Sequence, residues 1–259
     1  MSDTTSMHAV TAADGTEIGY EYQGGGDPII LVHGSMATRH TWDRLRPRLG
    51  EDRSIVVPDR RGRGASGDAD AHSLATEVAD LTAIIDAVEG DPAVFGHSFG
   101  GLCALEAARQ RSVDRLILYD PTVLTDEFRV EADLADRMAA LVEDGEREAA
   151  VKEFLGTLDS ATNVEEWPIW PECTRLAETI VRENWAIESY ELDDAIEVSA
   201  PTLLLRGGES PRHLREGAAA LADALVGHTC VELDGIGHNG LSRAPEQVAD
   251  EVRRFLDDD

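Results

Sequence analysis

Ser98, in the run Gly96-His97-Ser98-Phe99-Gly100, is the residue of this chain best placed to do chemistry. A neutral hydroxyl is a weak nucleophile, so it needs exposure and a base within hydrogen-bond reach. The glycines supply the first. A turn sharp enough to push one side chain out between a strand and a helix accepts only small residues two before and two after it, the G-x-S-x-G pattern. That pattern is common by chance. Here the apolar run Ala93-Val-Phe95 precedes it, a helical pattern from about Gly100 to Arg111 follows, and Gly101 adds another small residue. The Ser98 hydroxyl is therefore expected at the C-terminal edge of a sheet and the start of a helix.

Among eight histidines, His238 has the context of a base, in Asp234-Gly-Ile-Gly-His-Asn-Gly240 just after the last predicted strand. A loop there returns to the edge that carries Ser98, and serine before histidine is the chain order expected for such a triad. The alternative is an ordinary loop histidine. His8, His40, His72, His213 and His228 lack such context and read as solvated. A tetrahedral intermediate also needs donors for its oxyanion, worth several kcal/mol. Phe99 N–H follows the nucleophile at a helix start. Ser35 N–H, in His33-Gly34-Ser35-Met36, is the second candidate, with Gly34 permitting close backbone approach. His33 itself reads as a structural hydrogen-bonding residue.

These groups need a scaffold, and the N-terminal half alternates strand-like and helical runs. Glu17 to Tyr22, Pro28 to Val32, Ser54 to Val57, Ala93 to Phe95 and Arg115 to Tyr119 read as strands. The continuous apolar runs among them suit strands buried on both faces. Between them, Leu74, Val78, Leu81, Ile84, Ile85 and Val88 recur at helical spacing behind a capping Ser73. Strand–helix–strand order implies parallel pairing through right-handed crossovers, an open doubly wound α/β sheet. From about Thr122 to Ala200 the pattern is helical only, with segments such as Leu134 to Val142 and Glu148 to Leu158. Trp167-Pro-Ile-Trp-Pro171 is expected there as a helix-breaking loop presenting two indoles. Strands resume at Pro201 to Leu205 and Thr229 to Leu233, with helices near Leu214 to Leu225 and Ala244 to Phe255.

At 259 residues and 42% hydrophobic, the chain is long enough for one substantial core. No stretch approaches the roughly 20 apolar residues of a membrane span, and Met1 to Val10 has neither the basic start nor the apolar core of a leader. A cytoplasmic protein is expected. Cys103, Cys173 and Cys230 are scattered, and read as small buried hydrophobes rather than as a zinc site or disulfide framework. Fifty-one acidic against 23 basic residues give a net charge of −28, and Lys152 is the only lysine. Such a surface repels phosphate backbones and anionic lipids, so neither nucleic acid nor membrane is an expected partner.

Together these pieces resemble the α/β-hydrolase superfamily over almost the whole chain. Besides His33-Gly34 and the serine turn, Asp59-Arg-Arg-Gly-Arg-Gly-Ala-Ser66 is similar to its D-x-R-G-x-G-x-S stretch, and Gly237-His238 to its C-terminal G-H element. The resemblance implies a core of residues 1–121 and 201–259 with a helical cap at 122–200. Trp167, Trp170 and Trp185 either line the acyl or leaving-group pocket or pack within the cap. One departure concerns the acid. Most members carry an aspartate three residues after a glycine at the end of the strand matching Pro201 to Leu205, and here Ser210 stands there. Glu209 serves if the loop is one residue shorter. Asp120, after Leu116 to Tyr119, serves if the acid lies where haloalkane dehalogenases and zearalenone lactonases place it. Asp120 is preferred, with Glu209 as fallback. Ser98 argues against the dehalogenase and epoxide hydrolase branches, which use aspartate at that position.

The expected activity is therefore a serine hydrolase acting on a small-molecule carboxylic ester or related acyl substrate through an acyl-enzyme, with no metal or organic cofactor. Lactone opening, carbon–carbon bond hydrolysis and cofactor-free perhydrolysis use the same triad. A ligand-binding protein of low turnover is the rival of a different class. The acid-rich, lysine-poor composition resembles proteins of salt-accumulating halophiles, in which molar salt shortens the Debye length to about 3 Å and screens self-repulsion. Far-UV circular dichroism is accordingly expected to report loss of structure on dialysis into low salt. An unchanged spectrum and melting point would contradict the halophilic reading.

Overall fold

The computed structural model describes residues 5–50, 52–130, 132–158 and 162–258. The start of the stretch read for a leader (1–4) and positions 131 and 159–161 of the expected cap lie outside them. The chain runs β1 (Ser6–Thr11), β2 (Glu17–Gln23), β3 (Asp27–Val32), β4 (Arg53–Pro58), α1 (Leu74–Ala87), β5 (Ala93–His97), α2 (Phe99–Ala108) and β6 (Leu116–Tyr119). A helical segment follows, with α3 (Asp126–Val130), α4 (Leu134–Glu143), α5 (Arg147–Thr157), α6 (Trp170–Arg175) and α7 (Ala177–Ser189). Then come β7 (Thr202–Gly207), α8 (Arg212–Ala224), β8 (His228–Leu233), α9 (Gly240–Arg243) and α10 (Pro245–Asp257).

The strands form one sheet in the order β1-β2-β4-β3-β5-β6-β7-β8. β1 and β2 pair antiparallel at one end, and every pair from β4 to β8 is parallel. The doubly wound architecture expected from the chain order is the one observed, with β1 as a strand the sequence pattern did not mark. Successive side chains point to opposite faces of a strand, and here both faces are covered. Ile30, Val56, Val94, Leu118 and Leu204 pack on one side with α1 and α2. Leu31, Val57, Phe95, Ile117 and Leu205 pack on the other with Trp42 and the apolar face of α10. At α1, Ser73 Oγ accepts from Thr76 N–H at 3.2 Å while Ser73 N–H donates to Thr76 Oγ1 at 2.8 Å, a capping box that fixes the start of the helix.

Several sequence expectations are corrected. Trp167 to Pro171 does not form an open loop displaying two indoles. Pro171 sits in the first turn of α6, where its missing N–H costs nothing. Trp170 is buried, and Trp167 packs against the helical segment's own core of Met138, Phe154, Leu155 and Ile180. Trp185 is exposed and donates its indole N–H to Asp136 at 2.9 Å. Cys103 and Cys173 are buried as expected, but Cys230, on the edge strand β8, is exposed. The His72 side chain is buried rather than solvated, its Nε2 at 2.9 Å from Glu77. Among the described residues no helix is long and apolar enough to cross a membrane.

The helical segment is tied to the sheet by buried charge. Arg60 and Arg63 occupy variable positions of the Asp59 to Ser66 stretch, and both reach Glu183 of α7. Arg60 also donates to Glu77 of α1 at 2.9 Å. Arg60, Arg63, Glu77 and Glu183 are all nearly inaccessible to solvent. Removing one partner of such a cluster leaves an uncompensated buried charge. Burial alone would raise the Glu77 pKa, but Arg60, His72 and Arg63 outweigh it and hold the carboxyl well below its ordinary range. A depressed carboxyl contributes stability that is in place above its unfolded pKa and lost as pH falls through the folded one. Glu183→Ala is thus expected to cost about 3–5 kcal/mol in urea titrations. Glu178→Ala, which breaks the exposed pair with Arg147, should cost about 1 kcal/mol or less. The stability gap between wild type and Glu77→Gln should close as pH falls below about 4. Equal costs for the two alanine variants, or a pH-independent gap, would contradict this account.

Candidate active site

Ser98 joins β5 to α2 with φ 56° and ψ −127°, a backbone conformation few side chains tolerate. The neighbouring glycines make room for it. A Cβ on Gly96 would lie 2.4 Å from the Gly100 carbonyl oxygen, and one on Gly100 would lie 2.3 Å from that of His33. Gly34 has the same function on the facing loop, where a Cβ would come within 2.8 Å of Ser98 Cβ. The spacing read from the sequence therefore reflects contact distances too short for any side chain.

His238 lies between β8 and α9, with Nδ1 at 3.2 Å from Asp120 Oδ2. Asp120 ends β6 at φ 42° and is fully buried. Its Oδ1 accepts from Gly207 N–H at 2.9 Å, and its Oδ2 accepts the Ser210 hydroxyl at 2.6 Å. Burial would raise its pKa, but His238, Ser210 and the Gly207 amide outweigh burial and hold it below the usual value. Of the two carboxylates the sequence offered, the structure brings Asp120 to the histidine and leaves Glu209 exposed, with its amide bonded to Ile236 O at 3.0 Å. The absent β7 aspartate has a geometric explanation. β6 and β7 are neighbours with Tyr119 opposite Leu205, so a carboxylate at the end of either strand reaches the same point. Ser210 serves that carboxylate as a donor.

The loop carrying His238 is held by two contacts that the sequence did not reveal. His97 Nε2–H donates to His238 O at 2.9 Å, with the two rings 4.5 Å apart. Burial, then the adjacent His238, pushes the His97 pKa down to about 3, so the ring stays neutral and its Nε2 hydrogen is assigned from the facing carbonyl. Tyr119 OH donates to Gly237 O at 2.5 Å. Ser98 Oγ is paired with Thr122 Oγ1 at 3.1 Å. Among the described residues no hydrogen bond joins it to His238.

Phe99 N–H opens α2, in the first turn where amides have no intrahelical acceptor. Ser35 lies in the loop after β3 and borders the same cavity as Ser98. Arg60 fixes that loop. Its Nε donates to His33 O and its Nη2 to Gly34 O, each at 3.0 Å, and its guanidinium lies 4.9 Å from the Phe99 ring centroid. His33 Nε2 accepts from Arg60 N–H at 3.2 Å, and its Nδ1 bonds Gly34 O at 2.9 Å. Burial, then the Arg60 and Arg63 charges, keeps this ring neutral. His33 is a structural residue, as expected.

The cavity over Ser98 measures about 220 Å³. Ser98, Ser35, Thr122 and Asn184 border it together with Leu124, Leu134, Phe154, Ile187 and Leu214. None of Trp167, Trp170 and Trp185 borders it. His213, expected to be solvated, does. A second, more polar cleft of about 500 Å³ runs beside His238 past Glu209, Asp234 and Asn239. Among the described residues no group of three or more histidines, cysteines or carboxylates is arranged to hold a metal ion.

Residues 29–251 match the alpha/beta hydrolase family. The crystal structure of an alpha/beta hydrolase from Sphaerobacter thermophilus superposes with a TM-score of 0.85 at 33% identity, covering 96% of this chain and all of that one. An esterase from Exiguobacterium antarcticum, EaEST, shares the fold with a TM-score of 0.81 at 20% identity, covering 96% and 99% of the two chains. Lipase LipV of Mycobacterium tuberculosis is 37% identical over 115 residues, a match spanning 43% of each chain. The sheet order, the glycine-framed serine between β5 and α2, and these matches lead to one conclusion: the chain belongs to the alpha/beta hydrolase family.

Proposed function

We propose that this chain hydrolyses carboxylic esters or related acyl substrates through an acyl-enzyme, with Ser98 as nucleophile, His238 as base and Asp120 as the triad acid. The observation that carries this reading is the His238–Asp120 contact of 3.2 Å, beside a serine held in a strained turn. Both oxygens of Asp120 are engaged, Oδ1 by the Gly207 amide and Oδ2 by the Ser210 hydroxyl and His238. With its oxygens engaged it stays ionised, holds Nδ1 protonated and leaves Nε2 free to take the serine proton. Ser98 Oγ turns from Thr122 to His238 by rotation between staggered wells. Such tightening on substrate binding is common, since hydrogen bonds of an empty site are often loose.

Ser98 Oγ then attacks the carbonyl carbon, and the amides of Phe99 and Ser35 take the oxyanion. His238 returns the proton to the departing alkoxide, and water releases the acid by the same path. In this reading residues 122–200 cap a core of 1–121 and 201–259. The acidic surface suits a cytoplasmic enzyme working in concentrated salt. The likeness to Lipase LipV supports acyl chemistry.

Replacing Asp120 with asparagine sets an amide NH₂ among groups that are themselves donors, which favours the wrong histidine tautomer. Asp120→Asn is expected to lower kcat for p-nitrophenyl butyrate about 10⁴-fold, and Glu209→Gln to leave it within about threefold. The reverse ranking would overturn the assignment of the acid. Wild-type levels in both variants would overturn the triad.

A further inference from the structure

Ser98 borders one space and His238 another; the two differ in character, and the direction of proton transfer says which part of a substrate each receives. The cavity over Ser98 is small, and the surface it presents is mainly apolar, supplied by Leu124, Phe128, Leu134, Phe154, Ile187 and Leu214 between polar neighbours. The cleft beside His238 is larger and more polar, and among the described residues Leu158 alone borders both. In the proposed reaction a bond forms between Ser98 Oγ and the carbonyl carbon, and the bond from that carbon to the alcohol oxygen breaks. The proton that left Ser98 passes through His238 to that oxygen. The alcohol must therefore lie on the His238 side, and the acyl group on the Ser98 side.

Resting on the proposed function, we infer that the substrates are esters joining a compact, uncharged, apolar acid to a polar, hydroxylated alcohol. A dry cavity of about 150 Å³ accommodates a benzene ring, so the cavity of about 220 Å³ here takes an acyl group of about six to eight carbons. Charge narrows the class further. Asp133 and Glu188 border the acyl cavity, and Arg137, which borders it too, is already paired with Asp133 and Glu153. A carboxylate on the acyl chain would meet like charge while losing water. On the alcohol side, Glu209, Asp234, Asn239, Arg243 and Gln247 offer hydrogen-bonding groups to hydroxyls, and the two carboxylates outweigh the arginine against an anion.

The test uses the full chain in molar potassium chloride. p-Nitrophenyl esters of two to twelve acyl carbons probe the cavity, and glyceryl hexanoate against propyl hexanoate probes the cleft with alcohols of equal carbon number. p-Nitrophenyl hydrogen glutarate against the pentanoate probes charge. kcat/KM should rise about fourfold per methylene up to six to eight carbons, then fall about tenfold or more by dodecanoate as the cavity overfills. The glyceryl ester should exceed the propyl ester by about tenfold, and the glutarate should fall about tenfold or more below the pentanoate. Leu134, half-buried on the cavity wall, gives variants that move the optimum both ways: Leu134→Ala toward longer chains and Leu134→Trp toward shorter ones. Hydrolysis that rises through dodecanoate, or favours the propyl ester, would overturn this inference and leave the serine hydrolase reading intact. Failure to cleave any ester beyond the level of Ser98→Ala would overturn both.

Discussion

The site depends first on a steric constraint, the turn that holds Ser98 at positive φ between β5 and α2. A non-glycine residue in a sparsely populated backbone region costs on the order of 1–3 kcal/mol and persists only where its surroundings over-determine it. Here they do. Gly96 and Gly100 let the turn close, Gly100 rests on the carbonyls of Val32 and His33, and Gly34 brings the facing loop against Ser98. The loop bearing Ser35 and the start of α2 bearing Phe99 are thus set by the contacts that strain the serine. The position of Ser98 and those of the facing amides cannot vary independently.

A second layer of constraint comes from buried charge. Arg60 donates to the carbonyls of His33 and Gly34, packs near Phe99, and is itself held by Glu77 of α1 and Glu183 of α7. One guanidinium therefore links the helical segment, the loop after β3 and the first residue of α2. Breaking even one of its partners would leave charge stranded in a low-dielectric interior. On the other side of Ser98, the histidine loop is fixed by the neutral His97 ring and the Tyr119 hydroxyl, so His238 approaches Asp120 without a flexible loop to order first.

Much of this was legible in the sequence because it follows from local sterics and periodicity. The Gly96 to Gly100 run, the apolar strands and the glycine-framed His238 are short-range patterns, and each maps onto the element expected. The approach of Asp120 to His238 was also legible, since a place at the end of a strand needs no loop register. What was not legible depends on partners far apart in the chain. Nothing near Arg60 announces Glu183, 123 positions later, and nothing near Ser210 announces the carboxylate it serves, 90 positions earlier. The tryptophans stayed open between pocket and cap for a related reason. An aromatic side chain suits a pocket and a core equally well, and only the packing of α5 to α7 decides which. His213 reaches the cavity where the start of α8 meets α3, its ring 5.9 Å from that of Phe128, a tertiary fact invisible in its flanking residues.

The central claim is that Ser98 is an activated nucleophile facing assembled oxyanion donors, and covalent labelling tests it most directly. Intact-mass spectrometry after exposure to a fluorophosphonate in molar potassium chloride would compare wild type with Ser98→Ala. The account predicts one adduct on wild type and none on the variant. No adduct on a wild type shown by circular dichroism to be folded, or equal labelling of both proteins, would contradict it.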